Sequence, residues 1–513
     1  MMWMMLAFAG EPADRVVRGE LWDGDGGRAG AVVIRDGRIV AVVADPRDHI
    51  GPDTVVTEAP FITAGFVDAH AHPDGLGSRL GELELGQSSL ASTLQTVAAA
   101  PGSGWILGRG WDQNLWTDTP GAWPTATQLD AVTGARPAAL RRVDEHALWL
   151  NHAALKAAGI TADTPDPPGG EILRGPDGEP SGVLVDEAMA AVPIPPPTPA
   201  ERQAQVRAVA LEARRAGLTG MHAMYVSDEA LAAFRALDAR GELPIRLWVY
   251  VAIDSEAAKQ LMATGRSGSG RVKIMGVKAF ADGALGSRGA WLSADYSDRP
   301  GHRGKPIHDG AQLEALATGL LAQDAQLAVH AIGDRAVHTT LDAFASARAK
   351  HPESTARLRV EHAQIVAPAD QSRFASLGAI ASMQPTHATS DSAWVSDRLG
   401  AERVPWSYAW RDLERAGARV VFGSDYPIEP LGPALGLHAA ITRTHATGEP
   451  VGGWRPEQRF TRAEAIRAFT ERAAYAVHEE ANVGSLSAGQ VADLSLWTAD
   501  WQPLGSIVDG RDD

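Results

Sequence analysis

Apolar positions change their period twice along the chain. Near the start they fall in short runs, Arg15–Gly19, Ala31–Arg35 and Ile39–Val43, the last two separated by Asp36-Gly37. Asp-Gly between apolar runs predicts a hairpin. The same texture returns at the other end, in Val483–Leu486 and Ala492–Trp497. Two β-rich ends predict one small β-sandwich domain from residues 14–60 and 483–513. Between them, short apolar runs alternate with helical periodicity, the mark of a parallel α/β fold. Eight strands are predicted: Phe61–Val67, Leu218–His222, Ile245–Val251, Gly276–Phe280, Gln326–His330, Leu358–Glu361, Ala379–Met383 and Arg419–Phe422. Helical spacing is clearest in Ala200–Ala216, Asp228–Arg240, Leu313–Gln323 and Arg335–Arg348. The expected fold is α/β, a (β/α)8 TIM-type barrel over residues 61–482 with its chemistry at the C-terminal strand ends.

One gap breaks this rhythm. Asp68 to Gly217 is too long for a loop and predicts a large insertion after strand one, placed at residues 75–200. It holds apolar runs of its own at Trp105–Leu107 and Ala138–Val143, and Pro193–Pro199 reads as a stiff link back to the barrel. The tail after Asp493 is short, so the closing strand of the small domain is expected to be truncated or replaced.

Composition narrows the chemistry. The 513 residues carry 47 Lys and Arg against 63 Asp and Glu, a net charge of −16. So acidic a chain has no electrostatic reason to hold nucleic acid or an anionic membrane. Cysteine is absent, which removes disulfides, thiolate metal sites and cysteine nucleophiles together. The 16 His and the acidic residues remain as metal ligands. Only 6 residues are Lys. The apolar start ends in Ala7-Phe8-Ala9-Gly10, similar to an export cleavage site, but no basic segment precedes it. The expected location is cytoplasmic, with export as the alternative if Met1–Gly10 ends a signal peptide.

The candidate site begins at Asp68-Ala69-His70-Ala71-His72, at the end of strand one. Residues two apart on a strand share a face, so His70 and His72 can offer two imidazoles to one cation. Lys278, His330, His362 and Asp425 end strands four, five, six and eight. A barrel gathers such ends at one mouth. Lys273 is a rival to Lys278, but five residues along a strand puts it on the opposite face.

The motifs Gly65–His72, Gly110-Trp111-Asp112, Gly169–Ile172, Val277–Arg288, His330–Ala336, Glu361–Gln364, Ser382–His387 and Gly423-Ser424-Asp425 together resemble the amidohydrolase superfamily, in its amidohydrolase-3 (YtcJ-like) branch. The resemblance spans essentially the whole chain. It implies that His70, His72 and Asp425 hold one metal, that His330 and His362 hold a second, and that Lys278, carbamylated by CO2, bridges them. Two Zn2+ are the default, with manganese, iron or cobalt as alternatives. It further implies a metal-activated water as nucleophile and Asp425 as the group that carries the proton. The implied activity is hydrolysis of non-peptide amide or N-acyl C–N bonds of a small molecule. A cyclic amide hydrolase or deaminase is the alternative, and a non-catalytic regulatory or binding barrel the reading from another class. His387 is a candidate oxyanion or leaving-group partner. Trp111, Asp112, His146 and Gln384 are candidate substrate contacts. Asp334 and Arg288 are expected to form an ion pair, and His222 to be a satisfied core histidine. The expected partner is a small-molecule substrate, not nucleic acid or a membrane, and a homo-oligomer is compatible with the sequence.

Overall fold

The computed structural model describes residues 12–23, 26–74, 82–143 and 147–512. The Ala7-Phe8-Ala9 motif and His146 lie outside the described residues. Among those described, no helix is long and apolar enough to cross a membrane.

Both ends of the chain enter one six-stranded sheet. Its order is Pro503–Ile507, Leu494–Trp497, Val55–Ala64, Arg15–Trp22, Gly27–Arg35, Arg38–Val43. Arg35 faces Arg38 across the Asp36-Gly37 turn. Asp36 and Gly37 sit at φ 50° and 70°, the left-handed pair that a two-residue hairpin demands. The short tail does close the sheet, contrary to expectation: Pro503–Ile507 pairs antiparallel with Leu494–Trp497, since five residues suffice for an edge ladder.

The barrel strands are β1 (Phe66–Ala71), β2 (Leu218–Val226), β3 (Arg246–Ala252), β4 (Val272–Phe280), β5 (Gln326–Ala331), β6 (Arg359–His362), β7 (Ile380–Met383) and β8 (Arg419–Phe422). They lie in chain order and each pair is parallel. The first predicted strand, Phe61–Val67, divides at Gly65. Its first half belongs to the terminal sheet and its second half starts β1. An apolar run buried on both sides of a corner shows no break in its pattern. The seam between β8 and β1 is joined where the C-terminal end of β1 meets the segment that follows β8. The Asp425 N–H donates to the His70 carbonyl and the His72 N–H to the Tyr426 carbonyl, both at 2.8 Å.

Strands buried on both faces read as continuous apolar runs, as β2 and β3 do. Val67, Ala69, Met224, Trp248, Tyr250, Met275, Ala328, Ile380 and Val421 form one buried cluster, so the barrel is packed rather than hollow. The flanking helices carry their own start signals. Ser227 Oγ accepts from the Ala230 N–H at 3.2 Å and opens Asp228–Ala239, which buries Leu231, Phe234 and Leu237 at helical spacing. Asp309 and Gln312 form a capping box before Gly310–Leu321.

Residues 75–205 form a separate compact unit. Its six-stranded sheet runs Gly170–Arg174, Pro180–Asp186, Ala147–Leu150, Ala138–Arg142, Ile106–Trp111, Leu83–Glu84. Trp111 lies in this unit's core with Trp116, Leu129, Leu140 and Trp149, and is fully buried. Its indole N–H donates to the Leu140 carbonyl at 2.8 Å. That places it in packing rather than at a substrate-facing surface. Trp111→Ala should therefore destabilise this unit by about 3–5 kcal/mol, read as an early transition in a thermal melt. An unshifted melt with a raised KM would return Trp111 to substrate contact. Asp112 is similarly committed: it accepts from the Asn114 N–H at 3.0 Å and from Arg142 Nη2 at 2.8 Å.

Candidate metal centre

The mouth of the barrel collects side chains from β1, β4, β5 and β6, from the segment after β8 and from the helix Pro385–Ser390 that follows β7. Each arrives because a strand ends there, and two of these residues are held in unusual backbone. His362 and Asp425 have φ of 70° and 59°, a region costly for residues other than glycine and common at functional sites. At Gly423 a Cβ would meet the His70 N at 2.4 Å and Asp68 Oδ1 at 2.7 Å. Only glycine lets β8 approach β1 this closely.

The imidazoles are aimed by what their Nδ1 atoms touch. His70 Nδ1 is 2.6 Å from Glu361 Oε2, His72 Nδ1 is 2.9 Å from the Met224 carbonyl, and His362 Nδ1 is 2.9 Å from Gln384 Oε1. All three contacts are acceptors, so each ring keeps its proton on Nδ1 and turns the Nε2 lone pair inward. His72 Nε2 lies 3.1 Å and His70 Nε2 3.3 Å from Asp425 Oδ1. Asp425 Oδ2 is 3.8 Å from His387 Nε2. Lys278 Nζ is 3.4 Å from His70 Nε2. The His330 and His362 ring centroids are 4.5 Å apart.

Two sets of ligand atoms therefore converge, His70–His72–Asp425 and His362–His387–Asp425, each within 4.8 Å. The Nε2 atoms of His330 and His387 are buried and have no hydrogen-bond partner. His330 Nε2 lies 3.7 Å from Asp282 Oδ1 and joins neither set, whereas the imidazole nitrogens gathered around the buried Asp425 carboxylate are the donor set a divalent cation needs. The residues present thus fit a metal.

Burial sets the charges of these groups. It pushes the Lys278 amine down to about 8, against the opposing pull of Glu361 and Asp425. Burial, aided by the Lys278 charge, holds His330 down to about 3, and burial likewise holds His362 well below its usual value. Both rings are neutral at physiological pH. For Asp425, burial alone would raise the carboxyl. The charge His70 carries when protonated, with the hydrogen bonds His70 and His72 then donate, outweighs it and holds the group well below the usual carboxylate range.

Several supporting groups were not visible as functional in the sequence. Asp68 Oδ1 accepts from the Ser424 N–H at 2.9 Å and from the His70 N–H at 3.1 Å, and burial pushes its carboxyl up to about 6. Asp282 accepts the N–H groups of Trp291 (2.8 Å), Ile332 (3.0 Å) and Gly333 (2.8 Å), tying the loops after β4 and β5 together. Glu361 and Arg359 lie two apart on β6 and both are fully buried. An Arg-x-Glu inside an apolar strand was the signal that could have found them.

Gln384 is buried, and its Oε1 is 2.9 Å from His362 Nδ1. One expectation is corrected. Arg288 and Asp334 do not pair: Arg288 Nη2 meets Asp298 Oδ2 at 2.7 Å, while Asp334 Oδ1 accepts from the Ser293 N–H at 3.1 Å. Arg288 finds its partner within its own loop, whereas Asp334, at the start of the helix after β5, accepts from Ser293 of that same loop. Lys273 points away from the mouth and pairs with Glu479. His222 stays in the barrel core, its Nδ1 accepting from Arg359 Nη1 at 2.7 Å.

A parallel eight-stranded barrel with this donor set at its C-terminal mouth defines the class of metal-dependent barrel hydrolases. The chain belongs to the amidohydrolase family, whose model matches residues 61–503. It is 32% identical over 496 residues to YtcJ of Bacillus subtilis (strain 168), named as a candidate amidohydrolase, covering 93% of this chain and 92% of that protein. It is 27% identical over 502 residues to an N-substituted formamide deformylase of Arthrobacter pascens, covering 92% and 90% respectively. Among solved structures, an uncharacterized metal-dependent hydrolase from Pyrococcus furiosus superposes with a TM-score of 0.78 at 25% identity, covering 97% of this chain and 99% of that one.

Proposed function

We propose that this protein hydrolyses a non-peptide amide or N-acyl C–N bond of a small molecule. The observation that carries the reading is the convergence of His70, His72, His362 and His387 on Asp425, with the Lys278 amine beside His70. The name of the Arthrobacter relative supports a C–N bond as the target. In this reading His70, His72 and Asp425 would hold one divalent cation, and His330 and His362 a second. Lys278 would join them as a carbamate ligand, formed when its neutral amine adds to CO2 and releases a proton. Zinc is the preferred ion for such His-plus-carboxylate ligands. When bound, such cations polarise a carbonyl and lower the pKa of water, which supplies the nucleophile.

The chain's own groups do the rest. Asp425, held ionised, takes the proton from the attacking water at its carboxylate and returns it to the leaving nitrogen. The leaving amine thus departs neutral. His387 Nε2 faces this carboxylate from the far side at 3.8 Å and is placed to hydrogen-bond the substrate oxygen or the leaving group. The barrel core below and the burial of Lys278 and His70 keep bulk water from the floor of the site.

Metal analysis of the purified protein and a hydrolysis panel of N-formyl, N-acyl, cyclic amide and aminopurine substrates test this. The expected result is bound divalent metal with turnover of open-chain N-acyl compounds. Turnover confined to the cyclic amides or aminopurines would move the assignment to those reactions. A protein that binds no metal would remove the hydrolase reading.

A further inference from the structure

Directly beneath the ligands lies a charged cluster that the proposed chemistry does not use. Arg359, on β6, is fully buried inside the barrel. Its Nε donates to Glu361 Oε1 at 2.7 Å and its Nη2 to Glu361 Oε2 at 3.1 Å, a two-pronged grip on one carboxylate. The same Nη2 reaches the Ala69 carbonyl at 2.7 Å and Ser382 Oγ at 3.0 Å, and Nη1 reaches His222 Nδ1 at 2.7 Å and Tyr250 OH at 3.3 Å. One guanidinium therefore ties β1, β2, β3, β6 and β7 together at a single level of the barrel. Glu361 passes the constraint upward: its Oε2 is 2.6 Å from His70 Nδ1.

An ion pair this deep is a poor way to gain stability. Desolvating both charges costs about as much as their attraction returns, and apolar side chains of similar volume commonly do as well. What the pair does supply is geometry. The guanidinium is planar and holds the carboxylate in one orientation. The carboxylate has no proton to give, so it can only accept from His70 Nδ1–H. His70 is thereby held in one tautomer and one ring orientation, with the Nε2 lone pair toward Asp425 and Lys278.

We propose that Arg359 and Glu361 are positioning residues for the metal centre: the Arg359 fork orients Glu361, and Glu361 fixes the His70 ring with Nε2 facing the mouth. This rests on the metal-dependent reading above and extends it to two residues outside the ligand set. The sequence held a trace of it, since Arg359-Val360-Glu361-His362 alternates faces: Arg359 and Glu361 point into the barrel while His362 follows at the strand end.

The experiment is chelator-competition titration of Zn2+ into wild type, Glu361→Gln, Arg359→Lys and Leu341→Ala, with the visible absorption spectrum of each Co2+-loaded protein recorded alongside. Leu341 is buried on the helix Asp334–Lys350, away from the mouth, and its truncation lowers stability without touching this chain of contacts. Supporting groups of this kind typically change metal affinity roughly 10–100-fold. The expected result is a loss in that range for Glu361→Gln, a smaller loss for Arg359→Lys, an altered Co2+ spectrum in both, and wild-type affinity and spectrum for Leu341→Ala despite a lower melting temperature. Wild-type affinity and spectrum in Glu361→Gln would overturn the positioning role alone. Equal losses in Leu341→Ala would also overturn it, by showing that general destabilisation suffices. A wild type that takes up neither metal would overturn the reading of the site and this inference with it.

Discussion

Asp425→Asn is expected to lower kcat by about 10²–10⁴-fold, the range associated with a positioned acid–base group. The substitution keeps the shape of the side chain and removes its charge. Asp425 is where the two convergent ligand sets meet, and its two oxygens face opposite ways: Oδ1 toward His70 and His72, Oδ2 toward His387. An amide in its place offers one oxygen and one NH2 to the same neighbours. It can neither accept the proton of the attacking water nor return one to the leaving nitrogen. The left-handed backbone at this position tolerates Asn as well as Asp, so the variant should fold. Metal content must be measured with kcat, because the lost carboxylate is also a proposed ligand. A variant that retains its metal and loses turnover assigns proton transfer. One that retains both would dismiss Asp425 from the chemistry.

The second large effect concerns Lys278. Lys278→Met is expected to lower metal occupancy and to reduce activity at least as far as Asp425→Asn, since it removes the group proposed to bridge the cations. Lys278→Arg should be no better, because guanidinium stays protonated and cannot take up CO2. The wild-type protein carries its own signature. The amine, unbuffered by burial, would titrate near 10.4; burial brings it down to about 8. A lowered value means that the neutral, CO2-reactive form grows as pH rises through about 8. Stripped protein should accordingly reload metal faster with bicarbonate than without. The gain should increase from pH 7 to pH 9, where the neutral fraction goes from about one tenth to about nine tenths. Metal uptake indifferent to both bicarbonate and pH would exclude the carbamate.

Much of this was legible in the chain itself, and the pattern of success is physical. Period-two alternation says which residues share a face. It sufficed to put His70 beside His72 and to separate Lys278 from Lys273, which the structure finds paired with Glu479. Alternating strands and helices announced a parallel barrel, and the barrel's geometry then brought strand ends hundreds of residues apart to one mouth. Those inferences need only local period and a known architecture. The family follows from the motifs and from the match over residues 61–503.

The remainder depended on which side chain meets which across the fold, and no local pattern carries that. Trp111 and Gln384 stood in suggestive motifs, yet the tertiary structure gives one to the core of residues 75–205 and the other to His362. Arg288 and Asp334 took other partners. The contact that aims His70 spans 291 positions in sequence. By itself the sequence determined the period of each segment, and hence the barrel, the inward face of every strand and the set of side chains able to reach the mouth. Only the tertiary structure decided how those side chains divide between binding, orienting and packing, because a hydrogen bond is settled at about 3 Å and a strand pattern constrains only the direction a side chain leaves the backbone.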